Sequence, residues 1–338
     1  MPKRIAAFGE VMMRLQVPGY ELLTQASSLN YSFSGTGVNV SAALARLGHE
    51  GYLITRLPEN ALGDAAASYL RKLGILPNFL RRGGKYMGLY FLENGFGARP
   101  GRVTYTNRLE SSFNTAPADA YDYEELAKGI DIVHFCGISL AMNDAVRRHM
   151  KALARAVKAQ GGTVVFDCNY RPAHWGEGGY ALAKPQYEEM LGLADIVMMN
   201  EQDAMLTLGM PTTETDRLAQ LAELIPAVAR RYGIAVVAGT HRAINGDNTH
   251  SLQGYLYKDE AFAFSDKLTF AVYDRIGAGD AYTSGIVHGE LQGFAPERTA
   301  GFAAAAAMLA HTIAGDTPMS SERDILRAMT DATGDVER

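Results

Sequence analysis

Short apolar runs alternate along this chain with longer segments in which apolar residues recur every three or four positions. The short runs are typical of buried strands, and the longer segments are typical of amphipathic helices. Strands and helices that alternate in this way favour a mostly parallel sheet with helices on both faces. The predicted strands are RIAAF, YLITRL, IDIVHF, TVVF, DIVMM and IAVVA, and the predicted helices are NVSAALARL, GDAAASYLRKL, DAVRRHMKALARAVKA and DRLAQLAELIPAVARRY.

Other stretches alternate apolar and polar residues in the manner of antiparallel strands with one face in water. These stretches are LNYSFS, YMGLYFL and RVTYT, and they have no helix partners of their own. We interpret them as a small β-sheet lid inserted into the α/β domain, and an antiparallel extension of the main sheet edge is the alternative. The predicted boundaries are 1–11, 35–85 and 112–330 for the α/β domain, 12–34 and 86–111 for the lid, and 331–338 for a C-terminal tail.

Composition and charge exclude some classes of protein. The 338 residues are 47% hydrophobic and 20% charged, which are ordinary values for a globular protein. The net charge of −5 disfavours nucleic acid as a partner, because duplex binding normally needs a basic face. The longest apolar run, 302–310, is too short to span a membrane. Cys136 and Cys168 lie in apolar, strand-like contexts, so we expect a cytoplasmic protein with free thiols.

The stretch DRIGAGDAY at 274–282 has the pattern of a tight turn that opens a helix near Ala278. Gly277 and Gly279 leave the backbone accessible to a ligand. The first amides of a helix lack intrahelical acceptors and carry the positive end of its dipole, so the turn suits a phosphate or a transferring phosphoryl group. Asp280, ionised near neutral pH like an ordinary aspartate, could accept a proton from a hydroxyl. The alternative is that Asp280 only caps the helix.

A second glycine turn, GTGVNVSAALARLG at 35–48, also opens a helix, and it carries Asn39 in the first turn. Alone, this pattern could belong to a dinucleotide-binding protein, but it does not follow the first strand as that fingerprint requires. Together with DRIGAGDAYTSG, it resembles the two signatures of the ribokinase-like (PfkB-type) carbohydrate kinases. The resemblance covers nearly the whole chain.

That resemblance implies a ribokinase-like three-layer fold with a small β-sheet lid, and ATP and Mg²⁺ as cofactors. It makes Asp280 the base that deprotonates the acceptor hydroxyl. It assigns the anion hole to the amides of Gly277, Ala278 and Gly279. Gly35 and Asn39 are then expected to contact the sugar. Lids in this family often pair between subunits, so a homo-oligomer formed through the lid is expected.

The nucleotide and metal motifs depart from the family pattern. The usual Asn-x-x-Glu reads Asn200 to Asp203 here, so Asn200 and Asp203 are expected at the metal, with the neighbouring Glu201 as the alternative to Asp203. The nucleotide loop keeps Gly239 and then departs, and the turn-rich stretch HRAINGDNTHSL at 241–252 is expected to be a loop near the nucleotide. The residues expected at the nucleotide are Asn200, Gly239, Gly277 and Gly279. Arg275 and Ile276 replace the frequent threonines, without explanation from the sequence. A monovalent cation is left open.

The segment FDCNYRPAHW at 166–175 is the most informative about the substrate, because it resembles that of 2-keto-3-deoxygluconate kinases. Arg171 is then the residue that meets the substrate carboxylate. A guanidinium binds a carboxylate through two parallel hydrogen bonds. Pro172 favours an extended backbone at Arg171 and projection into a cleft. A solvated surface arginine is the alternative.

Lid residues give a second indication of a sugar acid. Tyr90 and Tyr105 match positions where these kinases place tyrosines over the substrate, although plain lid packing is the alternative. Arg108 corresponds to a lid arginine, and Ile138 lies where the family runs its backbone past the substrate. We therefore expect a kinase for the 6-hydroxyl of 2-keto-3-deoxygluconate. The alternatives are a fructokinase or another PfkB-type sugar kinase, an NAD-dependent oxidoreductase, and an inactive ligand-sensing relative.

Overall fold

The computed structural model describes residues 2–330, so the predicted tail at 331–338 lies outside the described residues. The described chain forms a ten-stranded sheet with helices on both faces, and a separate four-stranded sheet. The strands of the large sheet are β1 (Arg4–Phe8), β4 (Glu50–Leu57), β5 (Leu80–Arg82), β8 (Ile132–Cys136), β9 (Thr163–Asp167), β10 (Ile196–Met198), β11 (Val236–Ile244), β12 (His250–Lys258), β13 (Ala261–Phe264) and β14 (Leu268–Phe270). Those of the small sheet are β2 (Met12–Gln16), β3 (Asn30–Ser34), β6 (Gly88–Glu93) and β7 (Arg102–Thr106).

The helices pack on the two faces of the large sheet. They are α1 (Thr36–Arg46), α2 (Ala61–Lys72), α3 (Tyr123–Lys128), α4 (Asp144–Ala159), α5 (Pro172–Trp175), α6 (Gly179–Leu191), α7 (Arg217–Tyr232), α8 (Ala278–Gln292), α9 (Pro296–Ala310) and α10 (Glu322–Thr330). The side chain of Asn143 caps α4 by accepting a hydrogen bond from the Val146 amide at 3.0 Å. None of the described helices is both long and apolar enough to cross a bilayer.

The large sheet has the strand order β13-β12-β11-β10-β9-β8-β1-β4-β5, with β14 paired to β12. The strands from β11 to β5 are parallel, and β12, β13 and β14 pair antiparallel. Ile5 of β1 packs with α1 and α8, whereas Ala6 and Phe8 pack with the layer that contains α4 and α7. Both faces of β1 are therefore apolar, which confirms the predicted α/β sheet with helices on both sides.

The small sheet has the order β3-β2-β6-β7 and shares no strand pairing with the large sheet in the described chain. The alternative of an extended edge of the main sheet is therefore wrong. Its strands come from both predicted lid segments, and Phe33 and Met87 anchor it beside Leu70 of α2. The division of the chain into a body and a lid at the stated boundaries stays a proposal.

Candidate active site

The parallel strands end at one edge of the large sheet, where their polar continuations gather. A cavity of about 1100 Å³ lies at this edge, and the inner face of the small sheet also lines it. Both glycine turns contribute to its wall, so one space joins the early and late motifs. The predicted site residues in the wall are Gly35, Asn39, Tyr90, Tyr105, Ile138, Arg171, Gly277, Ala278, Gly279 and Asp280. The predicted residues outside the wall are Arg108, Asn200, Asp203 and Gly239.

The late glycine turn opens α8 at Ala278, as the sequence predicts. Gly277 has φ 86° and ψ −8°, which is a left-handed conformation that favours glycine. A Cβ atom at this position would lie 1.7 Å from the carbonyl oxygen of Asp316, whereas a Cβ on Gly279 would meet nothing within 4 Å. The Ala281 amide makes the first helical hydrogen bond, to the Gly277 oxygen at 2.9 Å. The amides of 278–280 therefore precede the helical ladder beside open space, as an anion site requires.

Asp280 lies in the first turn of α8 and is only 7% exposed. Its Oδ2 accepts a hydrogen bond from Asn39 Nδ2 at 2.7 Å, and Asn39 Oδ1 in turn accepts one from the Thr317 hydroxyl at 3.2 Å. Burial raises the pKa of Asp280 well above its usual range, and the bond from Asn39 opposes this. The carboxylate is therefore a stronger base than the ordinary aspartate expected from the sequence. Asn39, expected at the sugar, binds the candidate base in this structure.

Two further glycines permit close backbone contacts at this edge of the sheet. A Cβ on Gly35 would lie 2.3 Å from the carbonyl oxygen of Glu10, at the end of the first strand. A Cβ on Gly137 would lie 2.0 Å from the carbonyl oxygen of Cys168. Ile138 follows Gly137 and reaches the cavity from the 3₁₀ turn after β8. These contacts fix the early turn and the backbone at Ile138 against the sheet edge.

Tyr90 and Tyr105 face each other across the β6–β7 register, with ring centroids 5.9 Å apart. The Tyr90 hydroxyl lies 2.7 Å from Ser34 Oγ, and burial raises the pKa of Tyr90, so the hydroxyl stays neutral. Tyr105 is 41% exposed. The small sheet therefore presents one ordered and one open aromatic ring to the cavity.

Arg108 lies behind this wall and is almost fully buried. Its Nε donates to Glu10 Oε2 at 2.8 Å, and its Nη1 lies 3.1 Å from His174 Nε2. Burial and the two nearby arginines lower the pKa of His174 to about 4, so a neutral imidazole accepts the bond. The guanidinium also stacks 5.0 Å above the Tyr105 ring. In this structure Arg108 supports Tyr105 and α5 instead of projecting into the cavity.

Arg171 is exposed to the cavity, and its backbone is extended at φ −127° and ψ 101°, as Pro172 predicts. Within the described chain its side chain makes one hydrogen bond, which Nη1 donates to the Tyr170 carbonyl oxygen at 3.2 Å. Burial raises the pKa of Asp167 to about 7 and that of Asp203 to about 6, and the charge of Arg171 opposes both shifts. The guanidinium of Arg171 is therefore available to a ligand in the cavity, and its charge acts on the carboxylates of Asp167 and Asp203.

The Asn200–Asp203 motif forms a reciprocal turn after β10. The Asn200 amide donates to Asp203 Oδ2 at 2.9 Å, and Asn200 Oδ1 accepts from the Gln202 and Asp203 amides. Glu201 is fully buried and accepts from Arg217 Nε at 2.6 Å and from His241 Nε2 at 3.0 Å. The charge of Glu201 is thus already compensated, whereas Asp203 is the half-buried carboxylate of the pair.

The segment expected to be a loop near the nucleotide is instead a β-hairpin, because 241–252 belongs largely to β11 and β12 with a turn at 245–249. Gly239 lies within β11, where a Cβ would come within 2.3 Å of the Met199 oxygen. Arg242 of the hairpin and Arg275 of the late turn both line the cavity. Burial and the charge of Arg275 lower the pKa of Arg242. Two cations therefore flank the cavity beside the candidate anion site.

Several residues of this site were missed from the sequence. Asp167 ends β9 inside the quoted FDCN segment and Asn169 follows it, with φ 36°, a conformation that asparagine tolerates well. Asp274 lies three residues before Gly277, and Asp316 packs against the glycine turn. The position of Asp167 at a strand end could have identified it, whereas Asp316 lies in a C-terminal loop without a recognisable motif.

The whole chain matches known carbohydrate kinases. The pattern of the pfkB family carbohydrate kinases matches residues 2–323, so the chain belongs to this family. A 2-dehydro-3-deoxygalactonokinase from Haloferax volcanii is 26% identical, with all of both chains covered. A solved 2-dehydro-3-deoxygluconokinase from Thermotoga maritima is 31% identical with TM-score 0.92, covering 98% of this chain and 99% of the other. A solved candidate 2-keto-3-deoxygluconate kinase from Enterococcus faecalis is 39% identical with TM-score 0.95, covering 99% of both.

These likenesses confirm the predicted ribokinase-like fold and the predicted family. The remote alternative of an NAD-dependent oxidoreductase is wrong, because the match to the carbohydrate kinase family spans both glycine turns and accounts for the late one.

Proposed function

We propose that this chain is an ATP-dependent kinase that phosphorylates the 6-hydroxyl of 2-keto-3-deoxy-D-gluconate. The observation that carries the proposal is the position of Asp280. Its carboxylate lies in the cavity wall, on the first turn of α8, next to the amides of the glycine turn. A base and an anion site are thus adjacent, which is the arrangement that phosphoryl transfer to an alcohol needs.

In this proposal Asp280 accepts the proton of the attacking hydroxyl while the amides of Gly277, Ala278 and Gly279 stabilise the transferring group. Asn39 holds one carboxylate oxygen at 2.7 Å, which leaves the other oxygen for the substrate hydroxyl. The raised pKa of Asp280 makes proton transfer from an alcohol more favourable. Loss of such a base typically lowers the rate by about 10²–10⁴-fold.

The sugar acid is proposed to bind between the small sheet and Arg171. Arg171 would pair with the carboxylate, and Tyr90 and Tyr105 would cover the carbon chain with Gly35 and Ile138 below. We keep Arg108 as a residue that supports Tyr105, because its Nε and Nη1 already bind Glu10 and His174.

The nucleotide is proposed to lie along the glycine turn toward the β11–β12 hairpin. Arg242 and Arg275 fit a triphosphate, since they add positive charge to that part of the wall. Bound Mg²⁺ would neutralise charge on the phosphates during transfer. Within residues 2–330 no three His, Cys, Asp or Glu side chains cluster to hold a metal. That finding fits Mg²⁺, which in kinases relies on phosphates, water and one or two carboxylates.

Asp203, held by Asn200, is our proposed carboxylate for Mg²⁺, and Glu201 is not, because Arg217 and His241 already bind it. Activation by a monovalent cation stays a prediction, which activity with and without added K⁺ tests. We also propose that the reaction takes place in the cytoplasm, where ATP is available. The two buried free cysteines fit the reducing conditions of that compartment.

The relatives support a keto-deoxy sugar acid as substrate, and they give two candidates. Curated proteins named 2-dehydro-3-deoxygluconokinase and 2-dehydro-3-deoxygalactonokinase both match. The galactono relative matches over its full length, so the galactose-derived epimer is the second candidate. The two acids differ at one carbon, and both present the same carboxylate to Arg171.

A coupled assay of ATP consumption tests the proposal across both epimers, fructose and ribose. We expect kcat/KM for a keto-deoxy acid to exceed that for the neutral sugars. Arg171→Ala should lower it by about 10–100-fold for the acid, because a charge-assisted bond is lost, and should spare the neutral sugars. Arg148→Ala, on the exposed face of α4, is the matched control. A preference for fructose that survives Arg171→Ala would contradict the substrate, and no turnover at all would favour an inactive relative.

We further propose that two copies pair through the outer face of the small sheet. The cavity-lining residues of β2 and β6 define the inner face, so the alternate residues face away. On that outer face Leu15 lies beside Tyr31 and Phe91 in the strand register, and Tyr31 is 63% exposed. Leu15→Glu should halve the mass measured by light scattering. An unchanged mass would contradict this interface.

A further inference from the structure

Arg14 is the largest of the fully buried side chains in the described chain, at 1% exposure. It lies in β2, on the inner face of the small sheet, beside Tyr90 in the β2–β6 register. Arginine is almost never fully buried unless it is paired. The burial of a charge in this strand therefore needs partners, and the proposed reaction does not yet use this residue.

The partners of Arg14 come from the body of the protein. Its Nη2 lies 3.0 Å from Asp274 Oδ2 and 2.7 Å from Gln16 Oε1, and its Nη1 lies 3.4 Å from Asp316 Oδ1. The side chains of both aspartates are less than a tenth exposed. The ion cluster thus joins the small sheet to two segments that lie more than 250 residues further along the chain.

Both aspartates fix the late glycine turn. Asp274 Oδ1 accepts hydrogen bonds from the Arg275 amide at 2.7 Å and from the Ile276 amide at 3.1 Å. Arg275 and Ile276 are the two residues before Gly277. Asp316 packs directly against Gly277, because its carbonyl oxygen is the atom that leaves no room for a Cβ on that glycine. Arg14 therefore contacts both of the aspartates that set the position of the candidate anion site.

The charges of the cluster depend on the arginine. Burial raises the pKa of Asp316, and Arg14 is the largest influence that opposes this rise. Without Arg14, two buried carboxylates would repel each other and would repel a phosphoryl group at the adjacent turn. One guanidinium offsets one of these charges and bridges both acids.

We propose that Arg14 is a positioning residue, a fixed internal cation that sets the glycine turn relative to the small sheet through Asp274 and Asp316. This inference rests on the proposed kinase function. It assigns Arg14 no contact with substrate. Because the cluster ties the turn to β2, and Arg14 of β2 is paired with Tyr90 in the β2–β6 register, the sugar side and the phosphoryl side of the cavity are linked.

The test compares kcat, KM, melting temperature and hydrogen exchange of the amides at 275–281 in four variants. Arg14→Met removes the charge, and Arg14→Lys keeps the charge without the two-pronged geometry. Arg14→Met with Asp316→Asn removes one unpaired carboxylate, so that a folded variant is retained. Arg102→Met, on exposed β7 of the same sheet, is the control and should match wild type.

We expect Arg14→Met to lower kcat by about 10²-fold, the typical effect of moving a catalytic group by about an ångström. KM for ATP and for the sugar acid should change less than threefold, and exchange at 275–281 should rise. Arg14→Lys should recover part of kcat, and added guanidinium should partly rescue Arg14→Met. If Arg14→Met fails to fold, the double variant should fold with the same low kcat.

Folded Arg14 variants with kcat within threefold of wild type would overturn the inference, as would a lower melting temperature with unchanged kcat and unchanged exchange at 275–281. The proposed function fails separately, since it is refuted if wild type phosphorylates no sugar acid. In that case hydrogen exchange at 275–281 still decides whether Arg14 sets the turn.

Discussion

Gly277 and Gly279 stand two residues apart in the same turn, yet the structure predicts opposite consequences for replacing them with alanine. At Gly277 an added Cβ would lie 1.7 Å from the Asp316 oxygen, so the turn would have to shift by more than an ångström. The left-handed backbone adds a cost of about 1–2 kcal/mol for a non-glycine residue. At Gly279 nothing lies within 4 Å, and φ is not positive.

Gly277→Ala should therefore lose stability, by about 1–2 kcal/mol from backbone strain and about 1–3 kcal/mol from overpacking. It should also lose about 10²-fold in kcat, because the anion site moves. Gly279→Ala should keep the stability of wild type or gain up to about 1 kcal/mol, since alanine is the better helix former. Its methyl group would project toward the transferring group, so its kcat should fall without loss of stability.

Urea unfolding and the coupled kinase assay on both variants measure these effects. Wild-type stability in Gly277→Ala would refute the reasoning from the Asp316 contact. Unchanged kcat and KM in Gly279→Ala would show that no ligand approaches the amides of the turn.

Two further predictions concern charge in the cavity. Arg242→Ala and Arg275→Ala should each raise KM for ATP about 10-fold, because a charge-assisted contact is lost. Steady-state kinetics should find KM for the sugar acid within twofold of wild type. A larger effect on KM for the sugar acid would contradict the placement of both arginines at the nucleotide. Burial raises the pKa of Asp167 to about 7 from an ordinary value of 3.8, so the folded state binds more protons and stability should fall as pH rises between these values. Asp167→Asn should therefore stabilise the free protein more at pH 8 than at pH 5 in urea unfolding, and an equal effect at both pH values would contradict the raised pKa.

Local patterns were enough to predict much of this fold. The helix predicted at 144–159 is α4 in the structure, because its apolar stripe and its flanking residues both favour a helix over that range. Gly48, Gly74 and Gly161 follow the helical patterns in the sequence, and their φ of 86°, 87° and 77° is the left-handed conformation in which glycine commonly ends a helix. The glycine turn at α8 was likewise visible, since the constraint lies within a few consecutive residues.

Contacts between distant segments were not predictable in the same way. Arg14 alternates with apolar neighbours in MMRLQ, a pattern that favours exposure, and its acidic partners lie far along the chain. Asn39 reaches Asp280 across 241 residues, so its partner could not be read from its own motif. The hairpin at β11–β12 was mistaken for a loop because polar residues such as Arg242 and Asn248 face the cavity.

The central claim is that Asp280 is the base for a phosphoryl transfer. Asp280→Asn keeps the size of the side chain and removes its proton acceptor, and calorimetry can establish that it still binds the sugar acid and ATP. With binding retained, we expect a loss of about 10²–10⁴-fold in kcat for the keto-deoxy sugar acid. A kcat within threefold of wild type, with both ligands bound as before, would contradict it.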